Sequence, residues 1–165
     1  MRLLIKAVLV IFVVLVLACT SNDRALVVPV PPSDHHGSLY DPSRDPVADL
    51  HAALSAATVE KKRVLMVVGG VWCGWCLTLE RFLEEKPEVS SQIKRRFVVV
   101  RIHYSAENEN ETFLAQYPAI AGCPHFFILE ADGTLIGSQA TAELEENGSY
   151  SLRAFEQFLR RWQGE

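Results

Sequence analysis

Basic residues are not in excess: 16 Lys and Arg stand against 20 Asp and Glu, a formal charge of −4 over 165 residues. Nucleic-acid recognition asks for a basic face, so no nucleic-acid partner is expected. No apolar run has the length of a comfortable membrane span. The longest unbroken one, Ala7 to Ala18, holds about a dozen residues, where a spanning helix needs roughly 20. Cysteine is scarce as well: Cys19, Cys73, Cys76 and Cys123 are the whole supply. With Cys19 set apart at the end of the apolar run, three remain. That odd number leaves a thiol outside any pair and speaks against a purely structural disulfide framework. No internal repeat is visible. What the chain does have is 49% hydrophobic residues, enough for a real core in one domain with accessory segments, and too apolar for a disordered protein.

The first residues read as an export signal: Arg2 and Lys6 give a positive start, the apolar run follows, and Ala18 precedes Cys19-Thr20-Ser21-Asn22. Val16-Leu17-Ala18-Cys19 resembles the lipobox of bacterial lipoproteins, in which the signal is cut before a cysteine that is then acylated. Leu is usual where Val16 stands and a smaller residue where Leu17 stands, so ordinary cleavage nearby is the alternative. Residues 1–18 are therefore expected to be a signal peptide and Cys19 the lipidation site and membrane anchor. Thr20 is not Asp, which by resemblance to Gram-negative sorting favours the outer membrane over the inner, facing the periplasm. Loss of Arg2 and Lys6 would leave 14 basic against 20 acidic residues, or −6. Residues 19–44, with Pro29, Pro31, Pro32, Gly37 and Pro42, read as a Pro/Ser-rich tether. His35-His36 within it reads as solvated rather than metal-bound.

The folded domain is expected over residues 45–165, opening at Asp45-Pro46, a capping residue followed by proline at the first helical position. Val47, Leu50, Leu54 and Ala57 recur at helical spacing. Val64 to Val68 lacks polar alternation, as in a strand covered on both faces. Leu79, Phe82 and Leu83 mark a helix that Pro87 interrupts; Glu88 to Arg96 resumes it, with Lys94, Arg95 and Arg96 at a carboxyl end. Phe97 to Tyr104 is a second strand and Glu107 to Tyr117 a helix. His125–Glu130 and Thr134–Gly137 form a hairpin about Asp132-Gly133. Leu152, Phe155, Leu159 and Trp162 make a closing amphipathic helix capped by Ser151. The sum is an α/β domain. Asn110-Glu111-Thr112 and Asn147-Gly148-Ser149 fit the glycosylation pattern, which matters only in a eukaryotic secretory path.

The chemistry-bearing stretch is Trp72-Cys73-Gly74-Trp75-Cys76, directly after the run Arg63 to Val71. Two cysteines with two residues between them can close a small disulfide ring or share a metal. A β-rich run before them and a helical pattern after them favour the redox reading. A cysteine at a helix amino end meets unpaired amides and the positive end of the dipole, which lowers a thiol pKa from about 8.5 toward neutrality. The thiolate is the attacking species, so Cys73 would open a disulfide and Cys76, one turn inward, would resolve the mixed disulfide.

From about Asp45 to Trp162, the element order, the Trp before a C-x-x-C at a strand-to-helix junction, and Tyr117 to Pro124 leading into the hairpin resemble the thioredoxin superfamily. The nearest likeness is to exported bacterial thioredoxin-like proteins that handle periplasmic disulfides. The resemblance implies a thioredoxin-like fold, a central mixed β-sheet with helices on both faces in the order strand, helix, strand, helix, hairpin, helix. It also implies a thiol-disulfide oxidoreductase with Cys73 and Cys76 catalytic and no cofactor beyond them. A substrate groove of Trp72, Gly74, Trp75, Cys123 and a cis Pro124 follows, with protein or peptide disulfides as substrates, a membrane electron donor as partner if the protein reduces, and a monomeric state. Trp75, on the turn between the cysteines, is read as a surface contact.

Three departures from that pattern stand out. Val67 occupies the place, six residues before the first cysteine, where thioredoxins commonly bury an acid; Glu80, one turn after Cys76, is the nearest substitute as a proton relay. Gly74-Trp75 is neither the dipeptide of strong oxidants nor that of thioredoxin, so the direction of electron flow is not readable. Cys123 stands before Pro124, where Thr, Ile or Val is common. It reads as a small buried residue, as a thiol exchanging with Cys73, or as a metal ligand with Cys73, Cys76 and nearby His125. A copper- or zinc-handling protein, and a non-enzymatic binding module using the same fold, are the alternative readings.

Overall fold

The computed structural model describes residues 39–162. The expected signal peptide, Cys19 and most of the tether lie outside the described residues. Among the described residues no helix is long and apolar enough to cross a membrane.

The strand β1 (Arg63–Gly69) is buried along nearly its whole length. It pairs in parallel with β2 (Phe97–His103), from Arg63 opposite Phe97 to Gly69 opposite His103. On its other edge it pairs antiparallel with β3 (His125–Leu129), which pairs antiparallel with β4 (Leu135–Ala140). The order β2-β1-β3-β4 makes a mixed sheet. Side chains of a strand alternate between faces: Leu65 and Val67 join one core, Val64, Met66 and Val68 the other. Both faces are covered, so both alternations are apolar, and the absence of polar alternation in the sequence has its physical cause here.

On the second face lies α1 (Pro46–Glu60). The Asp45 carboxylate accepts the Val47 N–H at 2.9 Å and Pro46 opens the helix, as expected. Its buried stripe is Leu50, Ala53 and Ala57 with Leu54 beside it. Val47, one turn earlier, is 49% exposed and does not extend the stripe. On the first face lie α2 (Gly74–Glu85), α3 (Pro87–Arg96) and α5 (Leu152–Arg161). Pro87 restarts the helix at its own first position, and the Ser151 hydroxyl caps α5 by accepting the Ala154 N–H. Arg96, at the cationic end of α3, reaches the Leu159 carbonyl of α5 at 3.0 Å.

Two local expectations are corrected, and a turn is added. The helix read over Glu107 to Tyr117 is only one turn, α4 (Glu111–Leu114). Ser105 and Asn108 bond each other's backbones, the Ser105 hydroxyl takes the Asn108 N–H, and the Asn110 amide donates to the His103 carbonyl at 2.7 Å. These short polar side chains offer the backbone partners that compete with a helix. Asn147-Gly148 is a turn rather than only a glycosylation pattern: φ of 50° and 77° put both residues in the left-handed region between the short strands β5 (Glu145–Glu146) and β6 (Ser149–Tyr150). A two-residue hairpin loop demands that geometry. Tyr40, placed in the tether, is 1% exposed and belongs to the core that holds Cys76. The folded unit thus begins before Asp45, because an aromatic ring set in a polar stretch has area to bury.

Two outcomes follow from this packing. Phe155 is fully buried, with ring centroids 4.9 Å from Phe82 and 5.6 Å from Tyr150. Phe155→Ala is expected to remove about 3–5 kcal/mol of stability, read as a lowered urea midpoint at unchanged slope. His125 is buried on β3 with its ring 4.7 Å from Phe127 and Nε2 2.8 Å from the Ser138 hydroxyl. Burial lowers its pKa below the usual 6.5, with Glu143 opposing. The unfolded chain therefore takes up that proton first, so the His125 contribution is complete above about pH 6.5 and is lost as pH falls through the lowered folded pKa. Unfolding midpoints measured down through this window should decline, and His125→Gln should flatten that part of the profile.

Candidate active site

Where β1 ends, the turn Gly70–Trp72 delivers Cys73 to the amino end of α2. Cys73 is the N-cap, with extended backbone, and its sulfur accepts the Cys76 N–H at 3.2 Å. A helix start leaves its first amides without intrahelical partners; here a sulfur takes one of them. The same Sγ donates to the Cys123 carbonyl at 3.3 Å. Cys73 is 5% exposed and Cys76 fully enclosed, one turn inward as expected.

Burial pushes the Cys76 thiol well up, and its hydrogen bond to Cys73 pushes it further, while a backbone hydrogen bond from Gly70 works the other way. The two sulfurs are therefore unequal. The outer one sits among amides at the helix end, and the inner one is held as a thiol. Cys73, Cys76 and Cys123 are all free thiols.

The loop before β3 faces this pair. The Cys123-Pro124 peptide is cis, as the resemblance implied. The Thr141 hydroxyl donates to the Pro124 carbonyl and holds the loop to the end of β4. Cys123 is half-buried, and burial followed by the charge of Cys73 pushes its thiol up to about 11. Its carbonyl accepts the Cys73 thiol, and its own thiol feels the charge of Cys73.

Among the described residues no three His, Cys, Asp or Glu side chains converge to hold a metal. His125, the fourth ligand of the metal reading, stacks against Phe127 of the second-face core, whereas the three cysteines belong to the first-face core. The pleat of β3 turns His125 away from the sulfurs, so it does not join the three cysteines as a fourth ligand.

Trp72 is 57% exposed, and its indole N–H donates to the Tyr104 carbonyl at 2.6 Å, tying the turn after β1 to the turn after β2. Val71 and Leu77 are also about half exposed, so apolar surface flanks the outer sulfur. Gly74 is exposed. Trp75 corrects its expectation: it is half-buried, edge-on to Tyr150 at 5.6 Å, and its carbonyl accepts the Tyr150 hydroxyl at 3.4 Å. The β5–β6 hairpin supplies that partner.

Val67 is 4% exposed and opposite Arg101 in the parallel register. The Arg101 guanidinium grips both carboxylate oxygens of Glu80 at 3.0 Å. Glu80 is thus engaged by a cation on β2, and the position of the expected acid is filled by a methyl-bearing side chain. Sequence reasoning missed Arg101 and Tyr40. Their signals were a lone charge in the apolar run Phe97 to Tyr104 and the one aromatic residue between Thr20 and Arg44.

The model of the thioredoxin-like family matches residues 45–131, more than half of the chain. The chain is similar to the structure of a disulphide isomerase from Xylella fastidiosa Temecula1, at 24% identity and a TM-score of 0.65, covering 76% of this chain and 96% of that one. It is also similar to the C-terminal domain of Neisseria meningitidis DsbD in the oxidised form, at 21% identity and a TM-score of 0.53, covering 72% and 97%. At these identities the likeness is one of fold. No curated protein matches. A C-x-x-C whose first cysteine caps a helix beside a cis-proline loop, on a mixed four-stranded sheet that the family model spans from α1 past β3, has one conclusion: the chain belongs to the thioredoxin-like family.

Proposed function

We propose that this protein is a thiol-disulfide oxidoreductase that exchanges the disulfides of proteins or peptides through the Cys73–Cys76 dithiol. The observation that carries this is the inequality of the two sulfurs: Cys73 caps α2 with the Cys76 amide on its sulfur and exposed Val71, Trp72 and Leu77 around it, while Cys76 is enclosed behind it. In the first step the Cys73 thiolate attacks one sulfur of the substrate disulfide, forming a mixed disulfide and expelling the other sulfur as a thiolate. In the second, Cys76 gives up its proton and attacks Cys73 Sγ. The Cys73–Cys76 bond forms, the bond to the substrate breaks, and the substrate leaves reduced by two electrons. Run backwards, the same steps oxidise a dithiol.

Trp72, Gly74, Trp75, Cys123 and the cis Pro124 line the groove in which the substrate chain would lie. The cysteines carry the electrons themselves, so the proposed chemistry uses no cofactor. The setting we propose is export, acylation at Cys19 and attachment to the outer membrane facing the periplasm, with the domain working as a monomer on its tether. A membrane electron donor would return electrons if the direction is reductive. The relatives named as a disulphide isomerase and a DsbD domain lie in the same branch of chemistry.

Protein reduced with dithiothreitol is expected to reduce a model protein disulfide, and Cys73→Ser to abolish this. Cys76→Ser should instead accumulate the mixed disulfide, seen as added mass on Cys73. Full activity in Cys73→Ser would overturn the mechanism. The reduction potential of the pair then assigns direction: about −270 mV marks a reductant and about −120 mV an oxidant.

A further inference from the structure

An ionisable side chain stands beside the Cys76 sulfur inside the core, and it comes from outside the family match. Tyr40 precedes α1, yet its ring joins the core on the opposite face of the sheet from that helix, the core that holds Cys76. The phenol end and the Cys76 sulfur stand together over the end of β1. A Cβ built on Gly69 would lie 2.6 Å from Cys76 Sγ, 3.1 Å from Tyr40 Oη and 3.2 Å from Tyr40 Cζ. Any side chain at position 69 would therefore part the two groups, and glycine lets them lie side by side.

The chemistry of the resolving step gives this neighbour a task. Cys76 must become a thiolate in a fully buried place among Leu79, Val67 and Phe82, where charge is costly. The Gly70 backbone already bonds its sulfur in the favourable sense. Charged and titratable groups around the pair are few: Cys73 at the cap of α2, Glu80 on α2 neutralised by Arg101 on β2, Cys123 before β3, and Tyr150 on β6. Glu80 has both carboxylate oxygens bonded by Arg101. Tyr40 is held protonated, first by burial and next by the charge of Cys76. A phenol that keeps its proton cannot serve as a base, but it is a good hydrogen-bond donor.

We propose that Tyr40 is a positioning residue for resolution: its O–H turns to the Cys76 sulfur and stabilises the thiolate that attacks Cys73. The inference rests on the dithiol exchange proposed above. Tyr40 keeps its own proton throughout. The Cys76 proton passes to water, the Cys73–Cys76 bond forms as the bond from Cys73 to the substrate sulfur breaks, and the departing thiolate is protonated from water. The last residues of the stretch read as tether thus complete the active site from beneath.

An aromatic disulfide, dithiobis(nitrobenzoate), separates the two steps in the full chain. It releases one coloured thiolate when Cys73 attacks and a second when Cys76 resolves. In Tyr40→Phe, which keeps the ring in the core, the first release is expected within about twofold of wild type. The second should be about tenfold slower at neutral pH, in line with the loss of one hydrogen bond to a charged group, with the gap closing as pH rises. A second release that matches wild type at every pH overturns the role of Tyr40. So does an equal slowing of both releases at all pH values, the mark of a packing defect. Absence of any second release from the wild-type protein would instead overturn dithiol exchange itself, and the Tyr40 role with it.

Discussion

The enclosure of β1 is the constraint on which the other features depend. A strand hydrogen-bonded along both edges and covered on both faces has no freedom to shift, since a slip of one residue would exchange its two apolar sets between cores. Leu65 and Val67 are committed to one side, Val64, Met66 and Val68 to the other. The carboxyl end of β1 is therefore a fixed point, and five residues later the chain starts α2. Cys73 is placed by the rigidity of the strand behind it and by the helix in front of it, and it keeps that place without any bond of its own to the sheet.

From that placement the asymmetry of the dithiol follows without further design. The helix start turns an amide toward the first sulfur, and the helical rise carries the second sulfur inward under α2 until it is fully enclosed. The first sulfur lies at the helix end with an amide on it, and the second lies enclosed behind it, where burial holds it as a thiol. Position relative to the helix end and to the core makes identical side chains unequal.

Arg101 crosses from β2 to Glu80 on α2, and Tyr40 feels the charges of both as well as that of Cys76. The stretch that brings Tyr40 in is pinned by its own turn, where Asp41 accepts the Ser43 N–H, and by Asn108, whose amide donates to the Pro42 carbonyl at 3.3 Å. Conformation and chemistry are linked here: the segment that joins any upstream anchor to the domain also closes the space under the resolving cysteine.

Much of this was legible in the chain. The unbroken apolar run Val64 to Val68, the C-x-x-C directly after it, Asp45-Pro46, Pro87 and Asp132-Gly133 are local signals, because strand burial, helix starts and tight turns are set by residues within a few positions of one another. They determined the order of elements, the family and the place of the C-x-x-C pair. Position in space was decided only by tertiary structure, because it depends on partners distant in the chain. Tyr40 needed Gly69 and Cys76 to become part of a site, Glu80 needed Arg101, and Trp75 found Tyr150 at a hairpin disguised as a glycosylation pattern. His125, close to the cysteines in sequence, was carried to the opposite face by the pleat of its strand. The sequence by itself determined which atoms could react; the packing of the sheet decided which of them meet, since a one-residue alternation sends neighbours in the chain to opposite sides of the protein.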